Sequence, residues 1–176
     1  AKQAGTLERV CGGRLDLGLG VGWQEAEYVA AGIPFEGRFG RLEDEVRACR
    51  ALWEGAPATY HSKTVSFDDA YCLPLPEPGR KIPIWFGLSL TERNIGRIAD
   101  LADGWVATTS RDHSEDFADS VDRLRAAFAA RGRDPGSLEV VRTLAPVLGP
   151  SGRPDLGATL AARARNAGAC QRSPRR

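Results

Sequence analysis

The stretch Leu15-Asp16-Leu17-Gly18-Leu19-Gly20-Val21-Gly22 decides the fold, because apolar and small residues alternate along it without a break. Leucines and a valine fall on one side of this segment, while an aspartate and glycines fall on the other. A period of two residues is the spacing of a β-strand, whose successive side chains point to opposite faces. The stretch therefore predicts a strand with one apolar face and one face almost free of side chains.

Helical and strand-like patterns alternate on both sides of this strand. A helix is predicted upstream over residues 1–10, and others over residues 41–54, from a Ser89-x-x-Glu92 capping box to about Ala102, and over residues 115–131. Further strands are predicted over residues 82–86, 105–109 and 138–148, with a short hairpin at Thr59–Phe67. Strict alternation of helices and strands is typical of the α/β class, in which a parallel sheet is covered by helices.

Composition excludes several classes of protein. The chain has 176 residues, is 42% hydrophobic and carries a net charge of +1, which is typical of a globular domain and not of a nucleic-acid-binding protein. No apolar run reaches the roughly 20 residues of a membrane helix, and no signal-peptide pattern opens the chain, so a cytoplasmic protein is expected. The four cysteines form no C-x-x-C pair, and neither a disulfide framework nor a metal site is predicted.

The character of the chain changes after Gly149. Residues 150–176 are rich in Arg, Pro, Gly and Ala and contain few large apolar side chains. This composition predicts a domain over residues 1–149 followed by a disordered tail. A nucleic-acid-binding tail is disfavoured, because no aromatic residues are interleaved with the arginines.

The glycines of the first strand form a candidate ligand site. They lack the G-x-G-x-x-G spacing and the Lys-Ser/Thr ending of phosphate-binding loops. A strand face without side chains allows a flat ring to lie against the backbone, and ligands of parallel α/β folds bind at the carboxyl ends of strands. Gly20, Gly22 and Trp23 lie at that end. The alternative is that the glycines only relieve crowding against neighbouring strands.

A second candidate contact follows the strand at residues 82–86. Gly87, Leu88 and Ser89 come directly before a predicted helix, and Thr91 adds a second hydroxyl group. Backbone N–H groups at a helix N-terminus favour phosphate, so this segment could hold a phosphorylated ligand. The alternative is that Ser89 only caps the helix.

Taken together, these residues resemble the luciferase-like monooxygenase family, in particular its branch that depends on the deazaflavin coenzyme F420. The resemblance extends over residues 1–148 and depends on the order and spacing of several segments. These segments are Ala1–Leu7, Gly12–Trp23, Ala31–Phe35, Arg41–Trp53, Pro83–Gly87 and Ala99–Trp105.

The resemblance implies a (β/α)8 barrel of which this chain carries about strands four to seven, so that the first three strands would precede residue 1. It implies an oxidoreductase that uses coenzyme F420 or FMN on a small organic substrate, by hydride transfer or oxygen activation. Gly20, Gly22 and Trp23 would border the cofactor ring, and Gly87, Leu88, Ser89 and Thr91 would lie near its phosphate-bearing chain. A phosphosugar substrate is disfavoured, because the members that act on sugar phosphates have a carboxylate where Trp23 stands.

No catalytic residue can be assigned from the sequence. His61 and His113 lie in polar segments and are expected at the surface. Glu25, Glu27 and Glu36 follow the glycine strand, and surface positions are expected for them as well. The rival hypothesis is a truncated, non-catalytic fragment that binds no cofactor or acts only by pairing with another chain, since half a barrel has two open edge strands.

Overall fold

The computed structural model describes residues 1–107, 117–142 and 147–166 of the chain, with side chains as far as residue 161. The helices in these ranges are α1 (Lys2–Val10), α2 (Glu25–Ala30), α3 (Arg38–Glu54), α4 (Glu92–Leu101), α5 (Phe117–Ala129) and α6 (Leu156–Asn166). The strands are β1 (Leu17–Leu19), β2 (Ala58–His61), β3 (Ser66–Ala70), β4 (Ile84–Phe86), β5 (Gly104–Ala107), β6 (Glu139–Arg142), β7 (Val147–Leu148) and β8 (Pro154–Asp155).

The central element is a four-stranded sheet in the order β1-β4-β5-β6, and all three pairings are parallel. Two antiparallel ribbons, β2–β3 and β7–β8, lie outside this sheet. Each parallel pairing joins strands separated by at least one helix, as parallel connections require. The α/β class predicted from the alternating pattern is therefore confirmed.

The two faces of the sheet differ as the alternation predicts. One face, here called the outer face, is covered by α3, α4 and α5, and its side chains form the core. Phe86 and Trp105 from the strands and Ile98, Leu124 and Phe128 from the helices have no exposed surface. The opposite face, here called the inner face, carries Gly18 of β1 and Gly20, which follows the strand directly.

Gly104 shows how closely the chain packs on the inner face. In the register of the sheet it pairs with Trp85 on β4 and with Glu139 on β6. A Cβ atom at this position would lie 2.8 Å from the Glu139 carbonyl oxygen and 2.8 Å from the Trp85 indole ring. Because real Cβ atoms do not approach other atoms so closely, only glycine allows the Trp85 indole to lie so near the backbone of β5.

A network of charges centred on Asp103 lies at the amino edge of the sheet, directly before β5. The Asp103 carboxylate lies 2.8 Å from Lys81 Nζ, 3.3 Å from Arg50 Nη2 and 3.5 Å from Arg133 Nη2. It also accepts a hydrogen bond of 3.0 Å from the Ile84 backbone N–H, where β4 begins. One carboxylate thus joins α3, β4 and the segment after α5.

Two of these arginines also bind the C-terminal end of α4. Arg50 donates to the Leu101 carbonyl at 2.6 Å, and Arg133 donates to the carbonyls of Ala99 and Ala102, both at 2.8 Å. Cations satisfy the last carbonyls of a helix and interact favourably with its dipole. Burial lowers the pKa of the Arg133 guanidinium, and Asp103 acts in the opposite direction.

Several predicted elements differ in extent from those observed. The first strand is shorter than the alternating stretch, because its hydrogen-bonded pairing with β4 covers only Leu17–Leu19. The helix predicted from residue 41 begins at Arg38, and α2 has no predicted counterpart. All residues of α2 are at least partly exposed, so the short helix lacks the apolar periodicity that predicts helices.

The capping box predicted at Ser89 is wrong, because Thr91 is the N-cap residue of α4. Thr91 has an extended backbone, and its Oγ1 accepts a hydrogen bond of 3.2 Å from the Asn94 N–H. The Ser89 carbonyl instead accepts 2.8 Å from the Asn94 side-chain amide. The chain between Ser89 and Thr91 is therefore fastened to the helix start by Asn94, and Glu92 is the first residue of the helix.

The C-terminal segment differs in part from the predicted disordered tail. Pro154–Asp155 forms β8 and Leu156–Asn166 forms α6. The buried Thr159 hydroxyl of α6 joins the helix to both strands of the ribbon, because it donates to the Asp155 carbonyl of β8 and accepts from the Val147 N–H of β7. Residues 167–176 lie outside the described residues, and the division of the chain at residue 149 stays a prediction. None of the helices described is both long and apolar enough to cross a membrane.

Candidate functional site

The two predicted site segments are neighbours at the carboxyl edge of the sheet. The Gly87 N–H, just after β4, donates a hydrogen bond of 2.8 Å to the Leu19 carbonyl at the end of β1. A Cβ atom on Gly20 would lie 3.5 Å from the Gly87 carbonyl oxygen. The structure therefore brings Gly20 and Gly87 together where ligands of parallel α/β folds bind.

The inner face of β1 is a strip of bare backbone. A Cβ atom on Gly18 would have no heavy atom within 4 Å, and one on Gly20 would have only the ordinary contact with Gly87. Among the described residues, these glycines are therefore not needed to relieve crowding, which was the alternative explanation. A strip of this kind can accept a flat ring at van der Waals distance from the peptide planes.

Gly22 ends the strip with a turn. Its φ of +67° lies in the left-handed region that favours glycine, and a Cβ atom there would lie 3.5 Å from the Tyr28 ring. The Tyr28 hydroxyl donates a hydrogen bond to the Val21 carbonyl, which ties α2 to the end of β1. Trp23 follows the turn with 80% of its surface exposed, so among the described residues nothing covers its indole.

The Leu88 side chain is buried and does not face the carboxyl edge of the sheet. It belongs to the core, and the Leu88 carbonyl accepts a hydrogen bond of 2.9 Å from the Trp105 indole N–H. Trp105 itself has no exposed surface and stacks on Phe117 with ring centroids 5.8 Å apart. The contact holds the chain between Gly87 and Ser89 against β5.

The hydroxyl-bearing residues of this segment are at the surface. Ser89 and Thr91 are both exposed at the start of α4. Thr91 uses its oxygen as an acceptor for the Asn94 N–H, and Glu92 in the first turn is paired with Arg123 at 2.5 Å. A phosphate at this helix end would therefore meet a terminus that already has one cap and one acidic side chain.

A cavity of about 240 Å³ lies beside the carboxyl end of β1, between α2 and α3. Its wall includes Gly20, Tyr28, Arg38 and Arg41. The Arg38 guanidinium lies 3.9 Å from the centroid of the Phe35 ring, an arrangement typical of a cation–π contact. The sequence does not single out these residues, because they line one cavity only when α2 and α3 have folded next to the end of β1.

The titratable residues considered in the sequence are mostly remote from this edge. His61 lies on the exposed β2–β3 hairpin, where its ring nitrogens lie 2.7 Å from Ser66 Oγ and 3.0 Å from Asp68 Oδ1. Glu25, Glu27 and Glu36 are all exposed, as expected, and Glu27 also lines the cavity beside β1. His113 lies outside the described residues. Within the described ranges, no group of three or more His, Cys, Asp or Glu residues could hold a metal ion.

A family model with the description luciferase-like monooxygenase matches residues 1–152. The chain belongs to this family. The fold and the carboxyl-edge position of the glycines agree with the resemblance seen in the sequence.

Two relatives show the range of the family. The chain is 38% identical over 134 residues to an uncharacterized protein of Mycobacterium tuberculosis, a match that covers 76% of this chain and 46% of the relative. It is 29% identical over 135 residues to an FMNH(2)-dependent dimethylsulfone monooxygenase of Pseudomonas putida, with 75% of this chain and 36% of the relative covered. The chain thus spans less than half the length of these curated relatives.

Solved structures of low sequence identity share the fold. The monooxygenase RslO1 from Streptomyces bottropensis superposes with a TM-score of 0.75 at 21% identity, over 94% of this chain and 50% of that one. The coenzyme F420 dependent tetrahydromethanopterin reductase from Methanopyrus kandleri superposes with a TM-score of 0.61 at 21% identity, over 80% of this chain and 44% of that one. Both matches support a partial barrel.

Proposed function

We propose that this chain carries part of the cofactor site of a flavin- or deazaflavin-dependent oxidoreductase, with FMN or coenzyme F420 as the cofactor. The observation that carries the proposal is the bare strip of Gly18 and Gly20 next to Gly87 at the carboxyl edge. Its substrate would be a small organic molecule, and its expected location is the cytoplasm. Family relatives that are named for FMNH(2) or coenzyme F420 support the choice of cofactor.

The residues present fit a flat tricyclic ring. Neither Gly18 nor Gly20 presents a side chain to the inner face, and a Cβ at either position would lie at least 3.5 Å from any heavy atom described. Both positions are exposed, so the ring could reach the backbone. Gly22 and Trp23 would border the ring on the β1 side, and the indole of Trp23 is free to pack on it.

The phosphate-bearing chain of the cofactor would lie along the start of α4. Gly87 has no side chain to obstruct it, and the exposed Ser89 hydroxyl could donate to a phosphate oxygen. Thr91 already accepts from Asn94 N–H, and its hydroxyl hydrogen remains available as a donor. Leu88 would contribute only its backbone, because its side chain belongs to the core.

When bound, such a cofactor supplies the redox chemistry, by hydride transfer or by oxygen activation. The chain's own contribution is to orient the ring on the glycine strip and to exclude water around it. Its described residues include no acid–base pair at the carboxyl edge, so the role of proton donor or acceptor is left unassigned. The rival hypothesis is a fragment that binds no cofactor by itself, and it predicts that a binding experiment will detect neither FMN nor coenzyme F420 on the chain.

Binding of the cofactors to the purified chain tests the proposal. FMN and coenzyme F420 are titrated separately, each in oxidised and reduced form, and absorbance or fluorescence is followed. We expect saturable binding of at least one of the four forms below about 100 µM. Absence of binding by all four forms at this concentration would overturn the proposal for this chain and favour the non-catalytic fragment.

A substitution on the strip shows where the ring binds. Gly20→Val adds a side chain on the inner face, where its Cβ atom would make only an ordinary contact of 3.5 Å with the Gly87 carbonyl oxygen. It should weaken cofactor binding by at least about tenfold. Gly55→Val is the matched control, since Gly55 is also extended and has open space at its Cβ position, but it follows the last residue of α3. Equal affinity of the two variants would show that the ring lies elsewhere.

A further inference from the structure

A second cavity, here called the amino-edge cavity, lies where β4 begins. Its volume is about 720 Å³, and its wall is formed by the last turn of α1, the end of α3 and the segment over residues 73–82. The candidate cofactor site lies at the other end of β4, where Gly87 follows the strand. Cavities of about 300–1,000 Å³ are typical of small-molecule sites. The amino-edge cavity is therefore large enough for a ligand of its own.

Much of the wall of this cavity is apolar. Pro76 and Ile82 are buried, and the Trp53 side chain is half-buried beside them. Pro74 and Pro78 lie in the same segment as Pro76, and the fixed φ of a proline restricts the backbone of this part of the wall. Aromatic and apolar surfaces of this kind bind flat organic molecules.

The turn at the end of this segment is fastened to α1 by two ion pairs. Arg9 lies 2.9 Å from Glu77, and Arg80 lies 3.2 Å from Glu8, so that adjacent residues of α1 hold both ends of the turn. The Arg80 N–H also donates a hydrogen bond of 2.9 Å to the Glu77 carbonyl, across Gly79 with its φ of +77°. A wall that is fixed in advance loses little conformational entropy when a ligand binds.

Four cationic side chains line the cavity, but only two carboxylates do. These six residues are Arg9, Arg50, Arg80, Lys81, Glu54 and Glu77. The carboxylate that contacts Lys81 Nζ at 2.8 Å belongs to Asp103, and the one that contacts Arg80 Nε at 3.2 Å belongs to Glu8, and neither of these acids lines the cavity. The wall therefore carries more positive than negative charge, which favours an anionic ligand.

The Arg50 guanidinium provides a separate indication of such a ligand. Its Nη2 donates to the Leu101 carbonyl at 2.6 Å and lies 3.3 Å from the Asp103 carboxylate. Its Nε is buried as well, but has no hydrogen-bond partner among the described residues. Buried N–H groups are nearly always paired, and carboxylate oxygens are strong acceptors for a guanidinium. Because Arg50 lines the cavity, a carboxylate bound there would supply the acceptor that Nε lacks.

We propose that the amino-edge cavity binds a small organic anion with a flat apolar body, of the class of aromatic carboxylates. The carboxylate would lie near Arg50 and Lys81, and the ring would pack on Trp53 and Ile82. The glycine strip takes no part in this site. The proposal therefore goes beyond the cofactor site and does not depend on it.

Isothermal titration calorimetry of the purified chain with 2-naphthoate tests the proposal. We expect saturable binding with a Kd below about 1 mM. The alcohol 2-naphthalenemethanol has the same ring system without the charge and should bind at least about tenfold more weakly. Acetate has the charge without the ring and should not bind detectably. Absence of saturable naphthoate binding, equal affinity for the alcohol, or equal affinity for acetate would overturn the proposal.

Substitutions locate the bound anion. Lys81→Gln removes one cation from the wall, so it should weaken naphthoate binding at least about threefold and leave binding of the alcohol unchanged. Arg93→Gln, at an exposed position of α4 outside the cavity, makes the same change in net charge and should leave the affinity for naphthoate unchanged. If Lys81→Gln fails to fold, Arg9→Gln is the second variant. A folded variant of either kind that binds naphthoate as the original chain does would overturn the proposal.

A final variant separates this cavity from the carboxyl edge. Naphthoate contains a flat ring, which the glycine strip is also expected to accept. Gly20→Val blocks the strip and should leave the affinity for naphthoate unchanged. Loss of naphthoate binding in this variant would assign the anion to the carboxyl edge and overturn the proposal. Failure of FMN and coenzyme F420 to bind would leave the naphthoate result unaffected, so the two proposals are tested separately.

Discussion

Asp103→Asn is expected to destabilise the fold, because the Asp103 carboxylate pairs with three cations at the amino edge of the sheet. Asparagine retains the size of the side chain and an oxygen that can accept from the Ile84 N–H. What it removes is the negative charge that faces Arg50, Arg133 and Lys81. The experiment therefore separates the charge from the backbone hydrogen bond.

The expected loss of unfolding free energy in Asp103→Asn follows from how far each charged partner is buried. The side chains of Arg50, Arg133 and Asp103 are 24–28% exposed, whereas Lys81 is 56% exposed and its contact is largely screened by solvent. Allowing about 1 kcal/mol for each of the two arginines, and somewhat more for Arg133 because burial already disfavours its charge, gives a loss of about 2–3 kcal/mol. For a chain of this size the melting temperature should fall by about 5–10 °C.

Urea unfolding monitored by circular dichroism at pH 7 measures this loss, and Asp100→Asn is its control. Asp100 belongs to the same helix end and contacts Arg131, but half of its side chain is exposed, so the control should lose less than about 1 kcal/mol. Equal losses for the two variants, or a loss below about 1 kcal/mol for Asp103→Asn, would refute the reasoning that partial burial gives the Asp103 network its strength.

Three further predictions concern packing and protonation. Gly104→Ala places a Cβ atom 2.8 Å from the Glu139 carbonyl and from the Trp85 ring, so we expect a loss of about 2–4 kcal/mol in urea unfolding and a changed Trp85 fluorescence; an unaltered midpoint would contradict the close approach. Trp105→Phe leaves the buried Leu88 carbonyl without its indole donor and should cost about 2–4 kcal/mol, while Trp23→Phe, at an exposed position, should cost less than about 0.5 kcal/mol. The Thr64 hydroxyl lowers the pKa of Asp44, so Thr64→Val should raise that pKa. A carboxyl group whose pKa is lowered in the folded protein stabilises the fold above its unfolded pKa of about 3.9, and this stabilisation is lost as the pH falls through the folded pKa. The loss of unfolding free energy in Thr64→Val should therefore be present at pH 6 and vanish at lower pH. Carboxyl NMR titration and urea unfolding at both pH values check this, and a loss that does not depend on pH would argue against it.

The sequence predicts the elements with strong periodicity better than those whose form depends on their neighbours. The alternation of residues 15–22 correctly separates the apolar face of β1 from its glycine face, because side-chain direction in a strand is a local property. The extent of β1 is set by its hydrogen bonds with β4, and its pattern alone predicts too long a strand. At α4 the capping-box pattern favours Ser89, but the residue that caps the helix is Thr91, whose Oγ1 accepts from the Asn94 N–H.

The candidate site likewise combines features that the sequence predicts with features that depend on tertiary contacts. The sequence singles out Gly20 and Gly87 separately, on two segments more than sixty residues apart. It does not show that the Leu88 side chain lies in the core, or that the Trp105 indole donates to the Leu88 carbonyl, because both depend on how β4 and β5 pack together. It also misses the cavity beside β1, because Tyr28 and Arg38 line it from two different helices and come together only in the folded chain.

By itself, then, the sequence determines the α/β class, the family and the two glycine segments, because these depend on composition, period and order along the chain. Only the tertiary structure decides that the glycine strip is open and that Gly20 lies beside Gly87. It also decides that Asp103 joins three cations from distant segments. Which atoms surround a residue depends on strand register and helix packing, and these long-range contacts leave no periodic trace in the chain.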